Sequence, residues 1–154
     1  MPKKKVLVYG YGNPGRQDDA LGIVMVENIK NWAEENGFSS IEVDQNYQLN
    51  IEDSSRIMDF DLVVFIDASI IDIESFQLEK VTPDLKTDFS MHSVSPSFVL
   101  GLCREISDTC PQVYQLHVKG YDFEFMKEMS QAAKKNLTAA EKYLKEFLLK
   151  NLNS

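Results

Sequence analysis

The stretch Lys5-Val6-Leu7-Val8-Tyr9-Gly10-Tyr11-Gly12-Asn13-Pro14-Gly15-Arg16-Gln17-Asp18-Asp19-Ala20-Leu21-Gly22 carries the strongest architectural signal in the chain. Residues 5–9 are a short apolar run, the pattern of a strand buried on both faces of a parallel sheet. The run feeds a glycine-rich turn, and an amphipathic helix follows over residues 18 to about 35, ended by Asn36-Gly37. A strand, loop and helix in this order open an α/β sheet, whose ligands bind at the carboxyl ends of the strands. The letters Gly10-x-Gly12-x-x-Gly15 match the dinucleotide fingerprint, and Asp44 ends the next predicted strand where a ribose-binding acid would stand. The chemistry argues the other way. Pro14 removes an N–H from the loop, and Asp18 and Asp19 put two negative charges where phosphates would lie. A turn that ends in two acids suits a cation. Asp18 reads as the helix N-cap, which leaves Asp19 to project into the crevice.

Beyond this stretch, strand and helix signals alternate. Residues 40–44 form a second strand and 49–58 a second helix, with Ile51, Ile57 and Met58 on its apolar face. Residues 61–67 are the strongest strand, five apolar residues in a row that are mostly β-branched or aromatic. Residues 77–81 alternate as an edge strand does. Ser95 and Pro96 open a helix to about residue 106 as N-cap and first-turn proline. Residues 113–118 are another strand. A long helix over 130 to about 152 carries Ala133, Leu137, Ala140, Leu144, Phe147 and Leu148 as one stripe. The alternation predicts a single α/β domain over residues 1–154, a three-layer α/β/α arrangement with a mainly parallel, twisted sheet between helices and right-handed crossovers.

Composition narrows the function. The chain has 154 residues, 44% hydrophobic and 26% charged, with a net charge of −8. That acidic balance argues against nucleic acid or an anionic membrane as partner, since both need clustered Lys and Arg. The N-terminal apolar run breaks at Gly10, too short for an export signal, and no run approaches a membrane span, so a cytoplasmic protein is expected. Cys103 and Cys110 are the only cysteines; their spacing fits neither a zinc knuckle nor a redox pair, and Cys103 reads as core. Asn136-Leu137-Thr138 matches a glycosylation sequon but falls inside a helix and is discounted.

Three residues stand out for chemistry. Asp67 closes the most buried strand, where a carboxylate needs a hydrogen-bonding partner, a cation or a proton. His92 lies in a polar loop ahead of a helix, whereas His117, the only other histidine, alternates within a strand and reads as structural. With Asp19 they make two carboxylates and one imidazole, a set acceptable to zinc, nickel or iron that leaves coordination positions open. A divalent cation would also remove the repulsion between the carboxylates. No Gly-x-Ser-x-Gly nucleophile and no His-Glu-x-x-His zinc helix competes.

Gly10-x-Gly12-Asn13-Pro14 through Asp18-Asp19-x-x-Gly22, the strand ending at Asp67-Ala68, His92-Ser93-x-Ser95-Pro96 and Gly120-Tyr121-Asp122-Phe123 together resemble the maturation endopeptidases of nickel-iron hydrogenases. The matches fall in the family's order over nearly the whole chain. The resemblance implies that Asp19, Asp67 and His92 bind metal and carry the reaction, with the Gly12-Asn13 backbone shaping the crevice. It implies a metal-dependent, aspartic-type processing endopeptidase that recognises nickel in the hydrogenase large-subunit precursor and removes the precursor's C-terminal peptide. The nickel is then the substrate's own, with zinc or another divalent cation able to take its place in vitro. A non-catalytic, chaperone-like sensor of the loaded precursor is the alternative. The chain departs from the family pattern at Ala20, where glycine is common, in having Asp rather than Glu at position 19, and in lacking Gly-Leu-Ser before the last helix.

Overall fold

The computed structural model describes residues 4–85 and 94–152. Five strands, β1 (Val6–Tyr11), β2 (Ile41–Asn46), β3 (Leu62–Ser69), β4 (Phe76–Lys80) and β5 (Gln112–Lys119), form one sheet in the order β2-β1-β3-β5-β4. The first four in that order are parallel, and β4 closes one edge antiparallel to β5. The helices are α1 (Leu21–Glu35), α2 (Asp53–Arg56), α3 (Pro96–Ile106) and α4 (Gln131–Leu152).

Alternation along the strands sorts the core into two halves. Val6, Val8, Val64, Ile66, Leu116 and Val118 face α1 and α4, which supply Met25, Ile29, Ala140 and Leu144 among others. Leu7, Tyr9, Val63, Phe65 and Val113 face the opposite way, onto Leu49, Ile57, Val99, Leu100 and Cys103 from α2, α3 and the segments beside them. The expected three-layer α/β/α architecture is thus present, with strands β1 and β3 covered on both faces.

The N-terminal boundary of α3 falls where the sequence puts it: Ser95 caps the helix by accepting from the Phe98 N–H at 3.1 Å, and Pro96 occupies its first turn. The predicted stripe of α4 is buried at Ala133, Leu137, Ala140, Leu144 and Leu148, and Phe147 packs edge-on against Tyr114. Asn136 is buried too, its amide donating to the Lys119 carbonyl and the Tyr121 hydroxyl at 3.0 Å each, so the sequon's asparagine lies inward.

Three expectations need correction. The second helix shrinks to the single turn α2 followed by a 3-10 turn, Ile57–Asp59, and Ile51 is 56% exposed instead of facing the core. The reason is Asp53, whose Oδ2 accepts from the Asn50 N–H at 2.8 Å and the Tyr9 hydroxyl at 3.1 Å, turning the chain just where the helix would begin. The first helix is likewise preceded by a 3-10 turn, Gln17–Ala20, and Asp18 does not cap it: Ala20 holds the cap position with no side-chain hydrogen bond. Finally, β1 runs on through Gly10 and Tyr11, so the loop proper starts at Gly12. Among the described residues no helix is long and apolar enough to cross a membrane.

Candidate active site

Strands β1 and β3 lie side by side with Gly10 opposite Ile66, and their carboxyl ends share one edge of the sheet. The start of α1 rests on that edge. A Cβ on Gly22 would sit 2.5 Å from the Ile66 carbonyl oxygen and 2.9 Å from that of Tyr11, so only glycine lets the helix come down so close. This approach carries Asp19, in the turn just before α1, to the edge where β3 delivers Asp67. Gly12 is the second obligatory glycine: its φ is +143°, and a Cβ there would meet the Asp19 carbonyl oxygen at 2.2 Å.

Asp19 is half-buried and accepts the Asn13 N–H on Oδ2 at 2.9 Å. The rest of the loop closes on itself. Gly12 N–H donates to the Asn46 carbonyl at 3.1 Å, Gly15 N–H to Asn13 Oδ1 at 2.9 Å and Arg16 N–H to the Asn13 carbonyl at 3.1 Å, while Pro14 has none to give. Every backbone donor from residue 12 to 16 is therefore committed or missing, and the glycine fingerprint has no N–H cradle for a phosphate. Gly12 and Asn13 act on Asp19.

Asp67 is held by neighbours from two other strands. Its Oδ1 accepts from Gln115 Nε2 at 3.2 Å, and the same amide reaches the Tyr11 hydroxyl at 3.0 Å. His117 stands directly across from Asp67 in the β3–β5 register, its Nδ1 3.5 Å from Asp67 Oδ1 and its Nε2 2.9 Å from Glu79 Oε1 on β4. At 3.5 Å the Asp67 contact is an ion pair rather than a hydrogen bond, and Nδ1 is buried with no other partner among the described residues. The Asp67 carboxylate raises the imidazole's pKa, burial lowers it and Glu79 raises it again, leaving it above the ordinary histidine value. Burial first, and then the Asp67 charge, push the Tyr11 hydroxyl far up, so it stays protonated.

Asp19 and Asp67 thus stand at the same edge of the sheet, reached from opposite faces: Asp19 from the side of α1, Asp67 from the side that Phe65 and Val63 face. His92 lies outside the described residues. Among the described residues no group of three or more His, Cys, Asp or Glu side chains gathers round a point as metal ligands do. Glu79, His117 and Asp67 form a line instead, each ring nitrogen turned toward a different carboxylate. The part played by His117 and Gln115 was missed by reasoning from sequence, since it depends on the pairing of β3 with β5; the signal is that both residues alternate on the face that carries Asp67.

Asp18 proves to be structural. Fully buried, it accepts the Tyr121, Asp122 and Ser130 N–H groups and the Ser130 hydroxyl, at 2.7–3.0 Å. Ser130 Oγ accepts in turn from the Ala133 N–H, so Asp18 secures the start of α4. A cavity of about 280 Å³ opens beside Gly12, lined by Pro14, Ile23, Gln45, Asn46 and Tyr47. A larger one, about 500 Å³, lies by Gly37, Phe38 and Ile41 at the amino edge of the sheet, away from both carboxylates.

No protein-family model matches the chain, and no curated protein matches it by sequence. Solved structures do match. The NiFe hydrogenase maturation protease HycI from Thermococcus kodakarensis KOD1 superposes with a TM-score of 0.73 at 22% identity, over 96% of this chain and 94% of that one. The chain has the fold of the hydrogenase maturation proteases. The maturating endopeptidase HybD from E. coli shares this maturation-protease fold at a TM-score of 0.70 and 17% identity, over 95% and 93% of the two chains. So does the hydrogenase 2 maturation peptidase from Thaumarchaeota archaeon SCGC_AB-539-E09, at 0.67 and 18%, over 94% and 98%.

Proposed function

We propose that this protein is a processing endopeptidase that recognises nickel already inserted in a hydrogenase large-subunit precursor and cuts off the precursor's C-terminal peptide. The observation that carries this reading is the position of Asp19 and Asp67 at the same carboxyl edge of the sheet, in a maturation-protease fold. The surroundings suit a polypeptide substrate. Tyr47, Ile70, Phe125 and Met126 are 68–95% exposed on the loops leaving β2, β3 and β5, an apolar rim on the same edge as the carboxylates.

Nickel enters this reaction as the substrate's cargo. The donors fit that role: the precursor's thiolates hold the soft side of the ion, and Asp19, Asp67 and His92 offer oxygen and nitrogen to its remaining positions. Zinc or another divalent cation suits the same donors in vitro. Within the chain, the Asn13 N–H fixes Asp19, and Gln115 with His117 fixes Asp67, so both carboxylates are aimed before substrate arrives.

The test is the intact mass of a nickel-loaded precursor incubated with the wild type or with Asp67→Ala. Loss of a C-terminal peptide is expected with the wild type only, and only when nickel is present, while the variant keeps its fold by circular dichroism. Normal cleavage by Asp67→Ala would sink the site assignment. No cleavage of a cognate, loaded precursor by the wild type would favour the metal-sensing binder instead.

A further inference from the structure

Helix α3 ends at a tight turn. The Ser107 N–H donates to the Cys103 carbonyl at 2.9 Å, and Ser107 Oγ accepts the Thr109 N–H at 3.1 Å, folding Asp108 and Thr109 outward and the chain back under the helix. This return brings Cys110 beneath Cys103, with their sulfurs 2.7 Å apart. Two thiols at that separation are crowded well inside ordinary contact and within a small side-chain rotation of the ~2.05 Å disulfide bond. The two differ in access: Cys103 is fully buried against the core beneath α3, and Cys110 is half-buried at the turn, its sulfur 3.6 Å from the Ser107 carbonyl.

We propose that Cys103 and Cys110 form a thiol–disulfide exchange site that takes low-molecular-weight disulfides of the glutathione class and closes to a reversible disulfide between the last turn of α3 and the segment entering β5. Cys110, the accessible thiol, attacks first. Its thiolate bonds to one sulfur of the small disulfide and expels the other as a thiolate, which takes up a proton. Cys103 then gives up its proton, attacks the Cys110 sulfur and expels the second small thiolate. Two protein thiols are oxidised and one small disulfide is reduced to two thiols. The order of attack agrees with chemistry at the buried end, where burial, and then the neighbouring Cys110, push the Cys103 thiol up to about 12. Cys103 is a poor first nucleophile and acts only once a mixed disulfide is placed against it.

This site is independent of Asp19 and Asp67, and its test needs no hydrogenase. The full chain is incubated with oxidised glutathione, unreacted thiols are alkylated with iodoacetamide, and the intact mass is read. The wild type is expected to be two hydrogens lighter, with neither glutathione nor alkyl group attached, and to melt about 5–10 °C higher than the reduced protein. Cys103→Ala is expected to keep one glutathione on Cys110, and Cys110→Ser, altered at the half-exposed position, to gain neither glutathione nor a crosslink. Wild-type protein that retains a stable glutathione, or that accepts two alkyl groups after oxidation, would overturn the proposal even if the Cys103 variant failed to fold.

Discussion

Asp18 has no exposed surface, yet it receives three backbone N–H groups and a hydroxyl from residues more than a hundred positions along the chain. Burial alone would raise its pKa, but the donors of Ser130, Asp122 and Tyr121 and the Ser130 hydroxyl together outweigh that and hold it below the ordinary aspartate value. A folded value below the unfolded one means that this stabilisation is complete above roughly pH 3.9 and is lost as the pH falls through the folded value. Asp18→Asn keeps the shape but turns an amide toward groups that themselves donate. It is expected to cost about 2–4 kcal/mol in urea unfolding at neutral pH. The wild type should also lose stability more steeply than this variant below about pH 4; parallel acid limbs would remove the charge from the explanation. Met126, 95% exposed at φ +60°, marks the same loop as one shaped by its contacts: its N–H donates to the Gly15 carbonyl at 3.0 Å in a conformation where glycine is at ease.

Among the elements, α1 against β1 and β3 sets the geometry of the edge. Both nearest obstacles to a Cβ on Gly22 are backbone carbonyl oxygens, which have nowhere to move. Gly22→Ala is therefore expected to destabilise by roughly 2–4 kcal/mol in urea unfolding. A midpoint equal to wild type would mean that the helix does not rest on the strands as described. This contact also shows what was legible. The apolar runs of β1 and β3 and the stripe of α4 were plain in the sequence because burial on a regular period leaves a regular pattern. The places of Asp19 and Asp67 at the carboxyl edge were legible because the first stands just before the apolar period of α1 and the second ends the apolar run of β3. The roles of Asp53 and Asp18 were not, since each acts through a partner distant in sequence. His117 and Gln115 needed the register of two strands, and the Cys103–Cys110 approach needed the turn at Ser107, neither of which a spacing count contains.

At the scale of the molecule, β1, β3 and β5 lie inside the sheet, whereas β2 and β4 form its borders. Amide exchange is expected to be slowest in β1, β3 and β5, opening only with the whole fold, and at least roughly tenfold faster on the outward-facing amides of β4. Uniform protection across all five strands would show that the border strands do not open separately.

The order β2-β1-β3-β5-β4 sets a timetable for synthesis. Strand β4 precedes β5 along the chain, but among the described residues β5 is its only neighbour in the sheet, so β4 leaves the ribosome with nothing to pair with. Gln115 and His117, the residues that hold Asp67, arrive on the same late strand. Asp67 is thus made early and fixed late, whereas Asp19 has its Asn13 partner from the start: a nascent chain holds both acids before either β4 or the crevice has been given its place.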